Sequence, residues 1–177
     1  MKETYYLQRK HINDTQAHPI KELKYRWLYL FMQKHLTAHF EELTSINAQN
    51  QLNHAMEDCG SLLIDFFRNK PTNELIKKIL SADEEVGIMV TKLLLAHFQE
   101  DQGGLLLCAD RCATAADLEG THNLPPSPRL IALGDGFTFD QWMISIEGEI
   151  VSEGTQPTFL AGLAALFATF VFNLEYP

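Results

Sequence analysis

The chain has 177 residues, of which 46% are hydrophobic and 21% are charged. This balance is that of a folded protein of one domain or two small ones, and it excludes a disordered chain, a collagen and a disulfide-stapled mini-protein.

The formal net charge is −9. Residues 1–39 carry seven basic against three acidic side chains, a net +4, which leaves −13 for residues 40–177. Because the larger part repels phosphate, the basic segment is interpreted first as docking on the acidic remainder and second as an anion-binding segment.

The three cysteines, Cys59, Cys108 and Cys112, are too few for a disulfide scaffold, and the polar N-terminus lacks the apolar core of a secretory signal. We therefore expect an intracellular protein, cytoplasmic or nuclear. Residues 154–174 contain no charge, but their densely apolar part, Phe159–Phe172, is only 14 residues long. Since roughly 20 residues are needed to span a membrane, this segment is predicted to be a buried helix.

The first two thirds of the sequence have the apolar periodicity of helices. The stripe over Ile20–Phe40 predicts one helix with a break near Lys34. Thr44–Ser45 offers an N-cap for a second helix, which Gly60 either interrupts or leaves intact.

Two further helices are predicted before the middle of the chain. Asn73, shortly after Pro71, can cap a short one, and the acidic run Asp83–Glu85 begins the next, where the helix dipole favours negative charge. That helix ends before Gly103–Gly104.

The periodicity then changes to that of strands. The turn at Glu147–Gly148 predicts a hairpin, Asp110–Ser127 is polar and predicts a long loop, and Pro157 begins a final helix capped by Thr155 or Thr158. The predicted strands are Leu105–Ala109, Arg129–Leu133, Trp142–Ile146 and Glu149–Ser152.

A sheet of four strands needs a cover on one face, and the apolar Phe159–Phe172 helix is the natural one. The predicted class is α+β, with a helical N-terminal part followed by a small antiparallel sheet of about four strands covered by a C-terminal helix. We divide the chain into a helical region, residues 1–102, and a region of sheet plus C-terminal helix, residues 103–177, packed with the helices as one unit.

His35 and His39 lie four residues apart, so a helix would place both on one side, with Glu42 nearby. Zinc can use such a pair. The metalloprotease pattern, however, places Glu directly after the first His, where this chain has Leu36. We therefore interpret the pair as a solvated or core-edge face of an amphipathic helix.

The other chemical candidates also have simpler structural interpretations. Cys108 lies in a predicted strand, where a thiol packs as a small apolar group. Three further groups of residues do not match the site that their composition suggests. The spacing of the first does not fit a cation-binding loop, the second lacks the pattern of a phosphate-binding loop, and the third lies at an exposed hairpin and not in a buried acid–base pair. In the same order, the groups are Asp110, Asp117, Glu119 and His122; Gly134–Gly136; and Glu147, Glu149 and Glu153. We predict no catalytic, cofactor-binding or metal-binding residue.

The stretch from PRLIALGD through QWMISIEGEIVSEG to LAALFATFVFNLEYP resembles the C-terminal region of uncharacterised animal proteins. Some of these are labelled sterile alpha motif domain-containing, and many derive from mobile elements. Phe172–Pro177 is the most specific piece, and weaker matches extend upstream to about residue 20. The chain departs from the pattern at Leu28, where a proline is expected, and at Leu95–Ala96, where Leu-Pro often stands. The resemblance implies no catalytic residue.

The final helix carries a surplus of aromatic residues, and a helix that is apolar all round is buried or lies at an interface. The aromatic residues are Phe159, Phe167, Phe170, Phe172 and Tyr176. The leading hypothesis is a non-enzymatic interaction module that binds a protein partner or itself, without a cofactor or membrane. One alternative is a mobile-element-derived accessory protein that associates with nucleic acid through residues 1–39. The other is an unrecognised hydrolase or metal enzyme.

Overall fold

The computed structural model describes residues 2–14, 18–121, 123–134, 139–151 and 156–174. Within them, helices precede a four-stranded sheet and a further helix follows it, which confirms the α+β class. The helices are α1 (Lys2–Ile12), α2 (Ile20–Arg26), α3 (Gln33–Thr44), α4 (Ala48–Asn69), α5 (Glu74–Leu80), α6 (Val86–Phe98), α7 (Ala115–Thr121) and α8 (Phe159–Ala168), with 3₁₀ turns at Leu28–Phe31, Gln102–Gly104 and Thr169–Phe172. The strands are β1 (Leu106–Asp110), β2 (Arg129–Gly134), β3 (Phe139–Ile146) and β4 (Glu149–Ile150).

The stripe predicted as one helix over residues 20–40 is two helices joined by a 3₁₀ turn. A break lies at Met32, two residues before Lys34, which confirms the predicted one, and a second break lies at Trp27. Trp27 leaves helical geometry (φ −122°, ψ 48°), and Met32 is extended (φ −70°, ψ 131°). The change of direction lets Leu30 and Phe31 enter the core, where both are almost fully buried.

The start of α4 also differs from the prediction. Ser45 has a left-handed conformation (φ 60°) and ends α3, since its N–H donates to the Glu41 carbonyl. The N-cap of α4 is Asn47, whose side chain accepts from the Asn50 N–H at 3.0 Å. Gly60 lies inside α4, and a Cβ there would be 2.8 Å from Val86 Cγ1. The helix therefore continues through Gly60, which allows close approach to α6.

Asn73 caps α5 as predicted, because its side-chain oxygen accepts from the Ile76 N–H at 2.8 Å. Its amide also donates to the Ala96 carbonyl, which ties α5 to α6. Helix α6 begins at Val86, directly after the acidic run. Helices α4 to α6 enclose a small core of Ile64, Phe67, Ile76, Ile79, Met89, Val90, Leu93 and Ala96.

The sheet has the order β1–β2–β3–β4 and is mixed. The pairs β2–β3 and β3–β4 are antiparallel, whereas β1 and β2 are parallel, so a purely antiparallel sheet was a wrong expectation. A parallel pair needs a crossover connection, and the long segment between Asp110 and Arg129 provides it.

That crossover contains α7, which replaces part of the predicted loop Asp110–Ser127. Thr114 and Asp117 form a reciprocal capping box: Asp117 Oδ2 accepts from the Thr114 N–H at 2.9 Å, and Thr114 Oγ1 accepts from the Asp117 N–H at 3.3 Å. Leu118 then packs on the sheet and is 1% exposed. Helix α7 thus covers one face, with a core of Leu118, Ile131, Leu133, Met143 and Ile150.

Helix α8 covers the opposite face, as predicted. Its cap is Thr158, whose hydroxyl accepts from the Ala161 N–H at 3.2 Å, while Thr155 lies outside the described residues. Phe159 meets Trp142 of β3 edge to face at 5.2 Å between ring centroids. The hairpin turn between β3 and β4 is also confirmed, with positive φ at Glu147 (52°) and Gly148 (80°).

The N-terminal helices contact the C-terminal part directly. The rings of Phe31 and Phe172 stack at 4.7 Å between centroids, and Lys24 Nζ donates to the Ile150 carbonyl at 2.7 Å. The division into residues 1–102 and 103–177 stays a prediction. Among the described residues, no helix is both long and apolar enough to cross a membrane.

Candidate functional site

An apolar groove lies where α3, α4 and the end of α8 meet. Its volume is about 380 Å³. The lining residues are Phe40, Thr44, Ile46, Ala48, Gln51, Leu52, Phe167 and Phe170. Phe40 and Leu52 form the floor and pack against the main core, whereas Phe167 and Phe170 remain 50% and 68% exposed.

The groove exists because α8 has more apolar faces than the rest of the chain covers. The faces that meet the sheet and the other helices are buried, including Leu163 and Leu166. Phe167 and Phe170 come one turn after these two residues and stay exposed. The segment between α3 and α4 places Ile46, 47% exposed, on the opposite rim.

The groove offers almost no polar chemistry. Among the described residues no charged side chain lines it, and the Thr44 hydroxyl already donates to the Phe40 carbonyl of its own helix at 2.8 Å. Gln51 is the one remaining side chain of the lining with free polar capacity. The site can therefore bind apolar groups, and its described lining contains no charged acid or base.

A second cluster lies at the junction of α1 and α2. His18 Nδ1 is 3.2 Å from Glu22 Oε1, and the His11 and His18 rings lie 4.2 Å apart between centroids. Trp27 Nε1 donates to His11 Nδ1 at 2.9 Å. We call this cluster of His11, His18, Glu22 and Trp27 the histidine corner.

The electrostatics of the histidine corner keep His11 neutral. Burial lowers the pKa of His11, and the neighbouring His18 and Arg26 lower it further, against smaller opposing effects of Glu22 and Asp14. The sequence analysis missed this cluster. Its detectable signal is the four-residue spacing of His18 and Glu22 across the start of α2.

His35 and His39, the candidate pair with four-residue spacing, do not form a shared site. His39 is fully buried and its Nδ1 donates to Gln8 Oε1 at 3.2 Å, whereas His35 lies half-buried against Tyr29. Burial, and secondarily Arg9, lower the pKa of His39 to about 4. His39 is thus a neutral core residue, and with His35 half-buried the pair fits the core-edge alternative and not the solvated one.

The acidic candidates have structural roles. Glu147 Oε2 accepts from the Ile20 N–H at 2.8 Å and so caps α2, which has Pro19 at its N-cap position. Glu119 Oε1 accepts from the Ile150 N–H at 2.7 Å, which satisfies the edge of β4. Hydrogen bonds from Thr114 lower the pKa of Asp117. Each of these three carboxylates therefore accepts a hydrogen bond from a backbone N–H.

The cysteines are exposed, which makes the packing predicted for Cys108 wrong. Strand β1 is an edge strand of the sheet, and its Cys108 side chain is exposed. His122, Asp135, Gly136, Glu153 and Tyr176 lie outside the described residues.

Several basic side chains of residues 1–39 contact the rest of the molecule. Arg9 donates to the Val171 carbonyl, Lys24 to the Ile150 carbonyl, and Lys21 pairs with Glu149 at 3.5 Å. These contacts favour docking on the acidic part over an anion-binding segment.

A family model described as "Sterile alpha motif domain-containing protein 3, helical domain" matches residues 1–32. The match covers less than a fifth of the 177 residues and includes α1, α2 and the 3₁₀ turn. It supports the similarity to sterile alpha motif domain-containing proteins over this segment. No curated protein and no solved structure matches the chain, so the C-terminal resemblance and the mobile-element origin stay predictions.

Proposed function

We propose that this protein is a non-enzymatic intracellular interaction module whose apolar groove binds an amphipathic helix of a partner protein. The observation that carries the proposal is the groove itself, with Phe167 and Phe170 held at its rim and no charged group in the part of its lining that the structure describes. Helix-in-groove recognition needs such a surface between helices, with apolar anchors of the bound helix on its floor.

The energetics favour this use of the surface. Large aromatic side chains that stay half exposed in the free protein gain hydrophobic stabilisation when a partner covers them, and aromatic residues dominate binding energy at interfaces. The match of residues 1–32 to a helical domain of a sterile alpha motif domain-containing protein also supports an interaction role. Those residues lie outside the groove, so they supply an independent argument.

A depression beside α1 is a weaker candidate for the same role. Its volume is about 410 Å³, and its lining includes Arg26, Gln8 and His35. Polar groups there would have to be desolvated or paired on binding. The groove formed by α3, α4 and α8 needs no such compensation.

Site-specific photo-crosslinking in cells tests the proposal. A photoreactive amino acid at position 170 should capture a partner protein, and Phe167→Ser should abolish the capture. The matched control is position 98, because Phe98 is 68% exposed, as Phe170 is, and lies outside the groove. Equal capture from positions 170 and 98, or capture that survives Phe167→Ser, would contradict the proposal.

Self-association is the competing occupant of the groove. Sedimentation velocity over a range of concentrations distinguishes it, since a second copy would shift the wild-type protein to a dimer and Phe170→Ser would restore the monomer. A monomer at every concentration, together with capture of another protein, supports the partner-helix proposal.

A further inference from the structure

The histidine corner brings two imidazoles and one carboxylate together from the end of α1 and the start of α2. One ligand atom from each of His11, His18 and Glu22 lies within 4.8 Å of the others. His18 Nδ1 and Glu22 Oε1 are 3.2 Å apart, close to the ~3.3 Å between two ligands of a tetrahedral zinc ion with bonds of about 2.0–2.1 Å. We propose that His11, His18 and Glu22 bind a divalent transition-metal ion, with Zn²⁺ as the preferred one.

The donor set decides the class of metal. Two imidazoles and one carboxylate suit Zn²⁺ and its neighbours, whereas Ca²⁺ and Mg²⁺ require an oxygen-rich site. Lys10 and Arg26 line the depression beside the corner, and their charge opposes a cation held by electrostatics alone. The nitrogen ligands therefore supply the affinity, and water completes a four-coordinate shell.

The second nitrogen of His18 has a suitable partner. His18 Nε2 is buried and has no hydrogen-bond partner among the described residues, and Asp14 Oδ2 lies 3.9 Å from it. When Nδ1 binds the metal, the proton of the ring must reside on Nε2. A small movement of Asp14 then lets its carboxylate accept a hydrogen bond from that N–H, the arrangement that orients metal-binding histidines.

Metal binding has a specific cost at His11. Trp27 Nε1 donates to His11 Nδ1, so the neutral ring carries its proton on Nε2. A metal at Nδ1 displaces the Trp27 donor, and a metal at Nε2 forces a proton onto Nδ1, opposite the Trp27 N–H. Binding through either nitrogen therefore removes the Trp27–His11 hydrogen bond, which makes Trp27 a local reporter.

The site would join α1 to α2 within residues 1–32, the segment that the family model matches. It is separate from the groove, so the two proposals can fail independently. A metal that binds only the folded chain also raises the thermal midpoint of unfolding.

The experiment titrates ZnCl₂ into the full chain with Cys59, Cys108 and Cys112 replaced by Ser, because exposed thiols bind zinc. Calorimetry should find one Zn²⁺ per chain. In ¹⁵N spectra only the Trp27 indole N–H signal should move, while that of Trp142, the other tryptophan, should stay.

Substitution of each ligand supplies the control. His11→Ala, His18→Ala and Glu22→Gln should each weaken binding at least about tenfold, and His54→Ala, at an exposed site on α4, should leave it unchanged. Glu22 is half exposed, so Glu22→Gln keeps the test valid if a histidine variant fails to fold. No zinc binding, binding undiminished by Glu22→Gln, or an unmoved Trp27 signal would overturn the proposal.

Discussion

The two sides of α8 differ in how completely the chain covers them. The side facing the sheet carries Phe159, which is fully buried, and Gly162, where the backbone approaches β2 and β3 closely. The other side, with the 3₁₀ turn that follows, leaves Phe167 and Phe170 exposed at the groove. Both sides carry apolar side chains, so hydrophobicity alone does not distinguish packing from binding. The distinction comes from what the rest of the fold places against each side.

The largest expected effect comes from emptying the packed side. Phe159→Ala should lower the free energy of unfolding by about 3–5 kcal/mol, because it leaves a cavity against Trp142. Phe170→Ala should change it by less than about 0.5 kcal/mol. Urea denaturation measures the free energy of unfolding of both variants. Similar losses at the two positions would contradict the expected difference between the two sides.

A similar contrast between buried and exposed positions applies to titratable groups. The pKa of His39 is lowered to about 4 in the folded protein, against 6.5 as its ordinary value. Below pH 6.5, His39 therefore becomes protonated in the unfolded chain but stays neutral in the folded protein. The free energy of unfolding should fall by about 3 kcal/mol as the pH is lowered from 6.5 to 4.

The control for this pH dependence is the exposed His54. His39→Gln should remove most of this loss between pH 6.5 and 4, and His54→Gln should keep it. Urea denaturation at several pH values measures both variants. An unaltered pH dependence in His39→Gln would place the responsible group elsewhere.

Two glycines, Gly162 and Gly120, allow the same comparison between a closely packed position and an open one. A Cβ at Gly162 would lie 2.9 Å from Leu130 Cδ1 and 3.0 Å from Trp142 Cβ, so Gly162→Ala should destabilise the protein by about 1–3 kcal/mol. Gly120 in α7 has no atom within 4 Å of a Cβ. Gly120→Ala should instead stabilise by about 0.5–1 kcal/mol, and thermal melts distinguish the two signs.

The smallest expected effect concerns the start of α8. Thr158→Ala removes the acceptor for the Ala161 N–H and should cost about 1 kcal/mol. Thr158→Ser retains the hydroxyl and should cost little. Equal losses for the two variants in urea denaturation would show that the cap is not the cause.

The sequence predicted those elements whose local signals agree with their tertiary surroundings. The caps at Asn73 and Thr158 and the turn at Glu147–Gly148 were predicted because each depends on side chains a few residues apart. Helix α7 was missed because its capping box, Thr114 and Asp117, lies in a polar segment, and its stability depends on Leu118 packing against the distant sheet.

The candidate sites were less predictable for the same reason. The aromatic surplus of α8 indicated an apolar surface, but Phe40, Ile46 and Leu52 join it only through the packing of α3 and α4. The histidine corner depends on a contact between the end of α1 and the residues just before α2, where the rings of His11 and His18 meet. Periodicity within one helix carries no information on such contacts.

The most direct test of the account is the affinity of the groove for the helical segment of the partner captured at position 170. Calorimetric titration should show that the Phe167→Ser/Phe170→Ser double variant binds at least about tenfold more weakly than wild type, or 1.4 kcal/mol, with its free energy of unfolding nearly unchanged. Phe98→Ser should bind as wild type does. Equal affinity of the double variant and wild type would contradict the assignment of the groove as the binding site.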